Sequence, residues 1–586
     1  MERWFIKSNN KNFMNISKEL GVSKVLAKVL TNRDIDDLER AEYFLKTDIN
    51  KLYSPKLMRN LIKAGDILKK KIDNKKPIRI VGDYDVDGVM SIYVVYTILK
   101  DLGAVVDYVI PDRVNDGYGI NDKIVNNAKE QGVDTIITCD NGIAALDQVR
   151  LAKELGLTII VTDHHDLPFK EGNGIREYIT PEADAVIDPK HPDCEYPFKE
   201  LCGAGVAFKL MEYLSSLYNI SKSKINKLLE YVAIATICDV VDLIDENRTI
   251  VKYGLELVNS TENIGLKALI KESKIDKEIG VYHIGFVIGP MINASGRLET
   301  ASTAVELLLS RDELEAKNKA QELKKLNDER KDLTEKGLES IIEKIENSSL
   351  KDDKVLIIYE PDIHESVAGI IAGRVKDIYY KPTIVLTQGE EGIKGSGRSI
   401  EEYNIFEELT QCKDLLDNFG GHPMAAGLSL QYDNIKYLKN KLNDITTLTD
   451  EDLIRKIYID LGLPIDYINY KLIEELSILE PFGKGNSRPV FGEKELKIKK
   501  MFKLGVNQNV LKFIFQSKKG MTIEGILFNN VSDFEDSIIE KYGEEVLDKL
   551  YKGIDNNVFV DIIYYPSINE YRGKVNIQIV VQNYRM

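Results

Sequence analysis

The chain has 586 residues, 43% hydrophobic and 30% charged, with 79 basic against 94 acidic side chains and a net charge of -15. That length calls for roughly three or four domains with sizeable cores, and the composition excludes a disordered or membrane-embedded chain. The acidic balance argues against a protein coated in nucleic acid but leaves room for a local basic groove, and five cysteines without CxxC spacing suggest neither a disulfide framework nor a zinc finger.

The N-terminal stretch MERWFIKSNNKNFMN lacks the basic start and apolar run of a signal peptide, and no run approaches the length of a membrane span. A cytoplasmic protein is the expectation. Residues 1–50 read as short helices packing on the domain next in the chain. Within residues 51–310, segments between Lys75 and Pro189 alternate strand-like and helix-like, from IRIVGD and VMSIYVVYTILKDLG to LTIIVTD and ADAVIDP. This βαβ rhythm predicts a parallel sheet with helices on both faces. Residues 203–240 look helical, and the second of two helices ends in Asp239.

Residues 311–347 carry dense charges of both signs without proline, which predicts a long exposed helix joining two domains. After it, 348–447 reads as a second, smaller α/β domain with glycine-rich IKGSGRSI and FGGHPMAAGLSL. The remainder, 448–586, shifts to short aromatic and β-branched runs and predicts a small β-barrel. The fold class is therefore α/β: a parallel-sheet domain, a linking helix, a smaller α/β domain and a C-terminal OB-like barrel.

The chemistry gathers at IRIVGDYDVDG, where a buried-strand run ends in Asp83, Asp85 and Asp87 at the carboxyl end of a parallel strand, the place where open α/β sheets bind ligands. A calcium loop beginning at Asp83 would need a glutamate at its twelfth position, which is Val94, and a helix rather than a strand before it. Further acids and histidines end other strands: Asp140 follows TIITC, and Asp163, His164 and His165 follow TIIV. Taken singly, Asp140 before NGIAAL is an ordinary helix cap. Together with Asp239 the set converges on one sheet edge. Carboxylates with one or two imidazoles and no thiolate suit Mn2+ or Mg2+, and the number of acids suggests two ions, the arrangement that supports phosphoester hydrolysis. Cys139, facing away from Asp140 on its strand, is expected in the core.

DYDVDG at 83–88, TCDNG at 138–142, TDHH at 162–165 and TICDV at 236–240 resemble the motifs of the DHH phosphoesterases, and FGGHPMAAG at 419–427 resembles the signature of their associated domain. With LEPFGKGN at 479–486 and the β-rich tail, the chain is similar to the RecJ family of single-strand-specific 5′ to 3′ exonucleases within that superfamily. The resemblance implies metal ligands at Asp85, Asp87, Asp140, His164 and Asp239, with Asp83 the outlying member, and His165 meeting the scissile phosphate. It implies a catalytic set of Asp85, Asp87, Asp140, His164, His165 and Asp239. Arg113, Tyr118, Asn293, Arg297, Ser396, Arg398 and His422 are the candidate substrate contacts that the chain offers, of which the resemblance favours Arg297, Arg398 and His422, with His364 nearby, while His191 and His283 remain structural.

Phe502, Phe513 and Phe515 could stack on bases in the barrel, although filling its core is the commoner role for such residues. The implied activity is 5′ to 3′ hydrolysis of single-stranded DNA to mononucleotides in DNA repair and recombination, with two Mn2+ or Mg2+ ions. The implied partners are single-stranded DNA, a single-strand-binding protein and a helicase, with no membrane and a monomeric chain. Two rivals share the motifs: a phosphodiesterase of short oligonucleotides or cyclic dinucleotides, which has no use for the extra barrel, and a non-catalytic replication scaffold, in which the ligands tend to be lost.

Overall fold

A computed structural model describes residues 2–8, 12–112, 117, 119–172, 175–389, 392–571 and 573–586. They form two compact units, one spanning 49–455 and the other combining 2–48 with 456–586.

In the first unit, strands β1 (Ile78–Val81), β2 (Val106–Val109), β3 (Thr135–Cys139), β4 (Thr158–Thr162) and β5 (Ala185–Ile187) make a parallel sheet in the order β2-β1-β3-β4-β5. Every residue of β1 and β3 is buried, as the unbroken apolar runs require of strands covered on both faces. The chain leaves β1 toward one neighbour and returns on its other side to make β3. That reversal opens a crevice at the carboxyl ends of these two strands, where DYDVDG and Asp140 lie.

Helices α1 (Val86–Asp101), α2 (Gly203–Ser216) and α3 (Leu229–Cys238) fill the layer behind the site and are apolar around most of their circumference. One charge is sealed among them. Lys209 of α2 is fully buried, its Nζ 2.8 Å from Glu246 Oε1 and 2.9 Å from the Tyr53 carbonyl, while Glu246 also accepts from the Tyr53 amide at 2.6 Å. These bonds compensate a charge that would otherwise be prohibitive to bury.

Helix α4 (Gly289–Leu298) continues a helical run that begins at residue 281, and helix α5 (Glu313–Glu346) comes after it. The linking helix differs from its expected exposure. Its 34 residues, about 51 Å long at 1.5 Å each, bury a stripe of Ala316, Ala320, Leu323, Leu326, Ile341 and Ile345, because the charges occupy only the outer face. Beyond it lies a mixed sheet in the order Asn418–His422, Ala425–Leu430, Gly392–Arg398, Thr383–Gly389, Leu356–Tyr359, with helix α6 (Glu365–Tyr379) packed on it.

In the second unit, Phe491–Leu504 pairs with both Val510–Gln516 and Phe559–Tyr571, closing a barrel completed by Thr522–Leu527 and Lys574–Arg585. The N-terminal helices belong to the core of this unit, not to that of the domain next to them in sequence. Their Leu26, Leu30 and Phe44 share a core with barrel residues Phe491 and Phe513 and with Phe534 of the helix Val531–Tyr542, and Arg3–Ile6 pairs in parallel with Lys456–Ile459. Phe513 and Phe515 are buried with ring centroids 4.9 Å apart, so they fill the barrel, while Phe502 lies under the Lys500 ammonium. Among the described residues no helix is long and apolar enough to cross a membrane.

Candidate metal centre

Strand β1 ends at Val81, and the chain turns so that Asp85 N-caps α1, its carboxylate accepting from the Gly88 amide at 3.1 Å. Asp87 sits in the first turn and is 1% exposed. Its two oxygens accept from the Gly203 and Ala204 amides at 2.6 and 2.7 Å, at the N-terminus of α2, where the helix dipole favours an anion. Position 203 has no room for a side chain, since a Cβ there would lie 2.6 Å from that of Asp140. The small residues of GAGVAF thus let the helix end touch two aspartates at once.

Asp140 comes directly after β3 with a φ of 63°, a left-handed backbone uncommon for a residue with a side chain. Its Oδ1 lies 3.1 Å from His164 Nε2. That nitrogen is also 3.7 Å from Asp87 and 3.8 Å from Asp239, which caps the C-terminus of α3. Three sets of potential ligand atoms result, each with members within 4.8 Å of one another: Asp83, Asp85 and Asp140; Asp87, His164 and Asp239; and Asp140, His164 and His165. Asp140 and His164 each belong to two of them.

Asp163, a strand-end acid outside the expected ligand set, organises the corner. Its Oδ2 accepts from the Ile143 amide at 2.9 Å, and its Oδ1 from the His164 amide and from His165 Nδ1, both at 2.8 Å. An acid directly before two histidines at a strand end is the sequence signal for this role, since aspartate readily caps the amides just after it.

The electrostatics fit a site built around cations. Burial, then the Asp85 charge, pushes Asp87 up to about 7. Burial and the surrounding carboxylates push Asp140 and Asp239 well above the usual carboxylate range. Burial, then His165, lowers His164 to about 3, so its ring is neutral and offers a lone pair. Burial would lower His165 too, but the Asp163 hydrogen bond and charge outweigh it and raise it to about 9. The same partnership overcomes burial at Asp163 and holds it at about 2. Burial raises the Cys139 thiol to about 12, leaving oxygen and imidazole as the donors. The buried His164 Nε2 and Asp239 Oδ2 make no hydrogen bond among the described residues, as ligand atoms awaiting an ion would.

These shifts set a pH dependence. With Asp87 raised to about 7, a proton occupies the site below that pH and a cation must displace it. Mn2+ affinity is therefore expected to fall as pH drops below about 7, with protons released on binding. Calorimetric titration in two buffers of different ionisation heat measures both, and pH-independent binding without proton release would contradict the assignment.

A second feature lies toward the smaller sheet: a cavity of about 780 Å³ lined by Arg297, Ser366, Arg374, Lys394, Ser396 and Arg398, among others. Arg297 Nη1 donates to the Ser366 carbonyl at 2.8 Å, and Arg398 Nη1 to Ser396 Oγ at 3.2 Å. Gly369 of α6 allows this, because a Cβ there would lie 2.7 Å from Ser396 Oγ and 2.9 Å from an Arg398 nitrogen. Arg374 and Lys394 are not singled out by the sequence, although Lys394 lies in the glycine-rich IKGSGRSI; a helix carrying Gly369 and Gly373 beside that strand is the signal that could have found them.

Asn293 does not face this cavity; its Oδ1 accepts from the Val86 amide at 3.1 Å and braces the acidic loop. His422 is exposed and outside the lining, two strands from Arg398 at the same level, both paired with Ala425. His364 caps α6 beside Ser366. His191 contacts Thr180, and His283 accepts from the Gly280 amide. Arg113 and Tyr118 lie outside the described residues.

The model of the DHH family, N-terminal domain, matches residues 77–236, that of the DHHA1 domain 352–447, and that of the RecJ OB domain 459–583. A Bacillus subtilis protein named single-stranded-DNA-specific exonuclease RecJ is 38% identical over 587 residues, covering 99% of this chain and 70% of its own length. A Haemophilus influenzae protein of the same name is 32% identical over 580 residues, 95% of each chain. The crystal structure of Thermus thermophilus RecJ in complex with Mn2+ matches with a TM-score of 0.80 at 25% identity, covering 100% of this chain and 79% of that one.

Proposed function

This chain belongs to the RecJ family of single-stranded-DNA-specific exonucleases, and from that premise we propose that it hydrolyses single-stranded DNA from the 5′ end to mononucleotides, in DNA repair and recombination. The observation that carries the reading is the overlap of ligand sets at Asp140 and His164, beside a cationic cavity. Asp83, Asp85 and Asp140 would hold one divalent cation and Asp87, His164 and Asp239 a second, with Asp140 Oδ1 3.1 Å from His164 Nε2 of that second set. Two such ions, Mn2+ or Mg2+, supply charge neutralisation and a lowered water pKa for phosphoryl displacement.

The chain's own groups do the rest. The Gly203 and Ala204 amides fix Asp87, and neutral His164 keeps its Nε2 lone pair toward the carboxylates. His165 binds Asp163 through Nδ1 and is cationic at neutral pH, so its half-exposed ring can donate through Nε2 to the scissile phosphate. Arg297, Ser396 and Arg398 would grip the terminal phosphate, a fork geometry suited to a monoester. The barrel of the second unit supports a single-strand grip. Because cellular single strands are freshly unwound or already coated, a helicase and a single-strand-binding protein are the protein partners this reading calls for, serving a monomeric enzyme.

The test is digestion of 5′-phosphorylated, end-labelled single strands with Mn2+ or Mg2+. Mononucleotides released in order from the 5′ end are expected, faster on long strands than on dinucleotides. Intact substrate, or preference for dinucleotides, would overturn the reading.

A further inference from the structure

We propose that the Tyr282 and Phe286 rings form a stacking platform for bases on the 3′ side of the scissile phosphate, a role that rests on the proposed exonuclease activity and extends it. The two rings are 65% and 71% exposed, yet they are stacked on each other, with centroids 5.2 Å apart and planes at 28°. Solvent gives large apolar rings no reason to stand outward together, whereas every nucleobase offers a π-face to such a surface.

Their place along the helical run 281–298 supplies the argument. Residues 284–288 form a π-helical turn, a feature that recurs at functional sites and here carries Phe286 between two α-helical stretches. The same turn presses on the end of α3: a Cβ on Gly285 would lie 3.6 Å from Ile237, and Gly289 abuts Cys238 Sγ, the residue before Asp239. Val240, after Asp239, is 59% exposed with a φ of 57°, a strained state for a β-branched residue. Further along, Asn293 braces the Asp85–Asp87 turn and Arg297 reaches the cationic cavity.

One helix therefore passes the aromatic pair, the Asp239 side of the metal centre, the acidic turn and the phosphate cavity in that order. Eleven residues separate Phe286 from Arg297, about 16 Å of helix. With the 5′ phosphate at Arg297 and the scissile bond at the carboxylates, the remaining strand runs toward Tyr282 and Phe286. Bases are the occupant this continuity selects.

The experiment uses the full-length Mn2+-loaded protein with Tyr282→Ala/Phe286→Ala, and a length series of 5′-phosphorylated single strands. The expected result is a KM about tenfold higher on long strands, unchanged kcat and unchanged dinucleotide cleavage, with Tyr282→Phe/Phe286→Trp restoring wild-type KM. Fluorescence anisotropy of long strands in Ca2+ reads binding apart from hydrolysis and should weaken in parallel. Unchanged KM and binding, equal loss on dinucleotides, or a shift in light-scattering mass in place of a binding defect would overturn the platform. A wild type that binds strands through these rings without cutting them would overturn the exonuclease reading and leave the platform standing.

Discussion

Asp140→Asn is expected to lower single-strand hydrolysis at least about a thousandfold, equivalent to about 4 kcal/mol of transition-state stabilisation, while making the metal-free protein more stable above neutral pH. The loss comes from position: Asp140 belongs to the Asp83 and Asp85 set and lies 3.1 Å from His164 Nε2 of the other proposed ion site, so the neutral amide removes a ligand from the first and a neighbouring charge from the second. The gain comes from charge. Burial and the charges of Asp87, Asp85, Asp83 and Asp239 raise the Asp140 carboxyl in the folded state well above its unfolded value. A group raised in this way favours folding below its unfolded pKa and loses that contribution as pH rises through the folded one. Without metal, the wild type should therefore melt at progressively lower temperature from about pH 4 upward, through the region near 7 where Asp87 also ionises. The asparagine variant should lose less. Melting curves in EDTA at acidic and alkaline pH, beside the nuclease assay, measure both halves; an active variant, or one destabilised at alkaline pH, would refute the role.

The second large effect is expected at Arg398→Ala, which should cut kcat/KM on 5′-phosphorylated strands by ten- to a hundredfold, the range of a lost charge-assisted hydrogen bond or two, and leave 5′-hydroxyl strands little changed. Arg398 is held in the cavity by its bonds to Ser396 and to the Gly397 carbonyl at 2.7 Å, over the flat surface of Gly369. A fixed guanidinium reads a monoester through two parallel bonds. Arg398→Lys keeps the charge but not the fork, so it should recover only part of the preference. An equal fall on both substrates would mean that the residue supports the lobe without reading the strand end.

The acidic crevice was legible in the sequence because its logic is local and repetitive. Each β-branched run ending in an acid is a strand end, and a parallel sheet gathers strand ends on one edge whatever the loops between them do. Asp83, Asp85, Asp87, Asp140 and His164 could thus be placed on one edge together, with Asp239 joining them from the end of its helix. What could not be read depends on which way groups point after packing. The Asp163 carboxylate turns back to the Ile143 amide and the His165 ring, a choice made by the loop and not by the residue type. Asn293 braces the acidic turn, and the placement of His422 beyond the cavity comes from the register of an edge strand with Ala425. The linking helix misled through its composition, because charges dense enough to suggest full exposure still leave a stripe every three or four residues for apolar contacts.

The union of residues 2–48 with 456–586 in one core sets a clock on the making of this protein. Arg33, which binds Asn486 and the Ser487 carbonyl, is synthesised 453 residues before Asn486 exists. At about 5–20 residues per second, roughly 20–90 seconds pass between the emergence of the first helices and that of their partners. Throughout that interval Leu26, Leu30 and Phe44 have no barrel to bury them. A chain cut off after residue 455 would carry those apolar side chains without the core they share with 456–586. Burial of Leu26, Leu30 and Phe44 thus waits on residues 456–586, and the order of synthesis makes the barrel the step that seals this core.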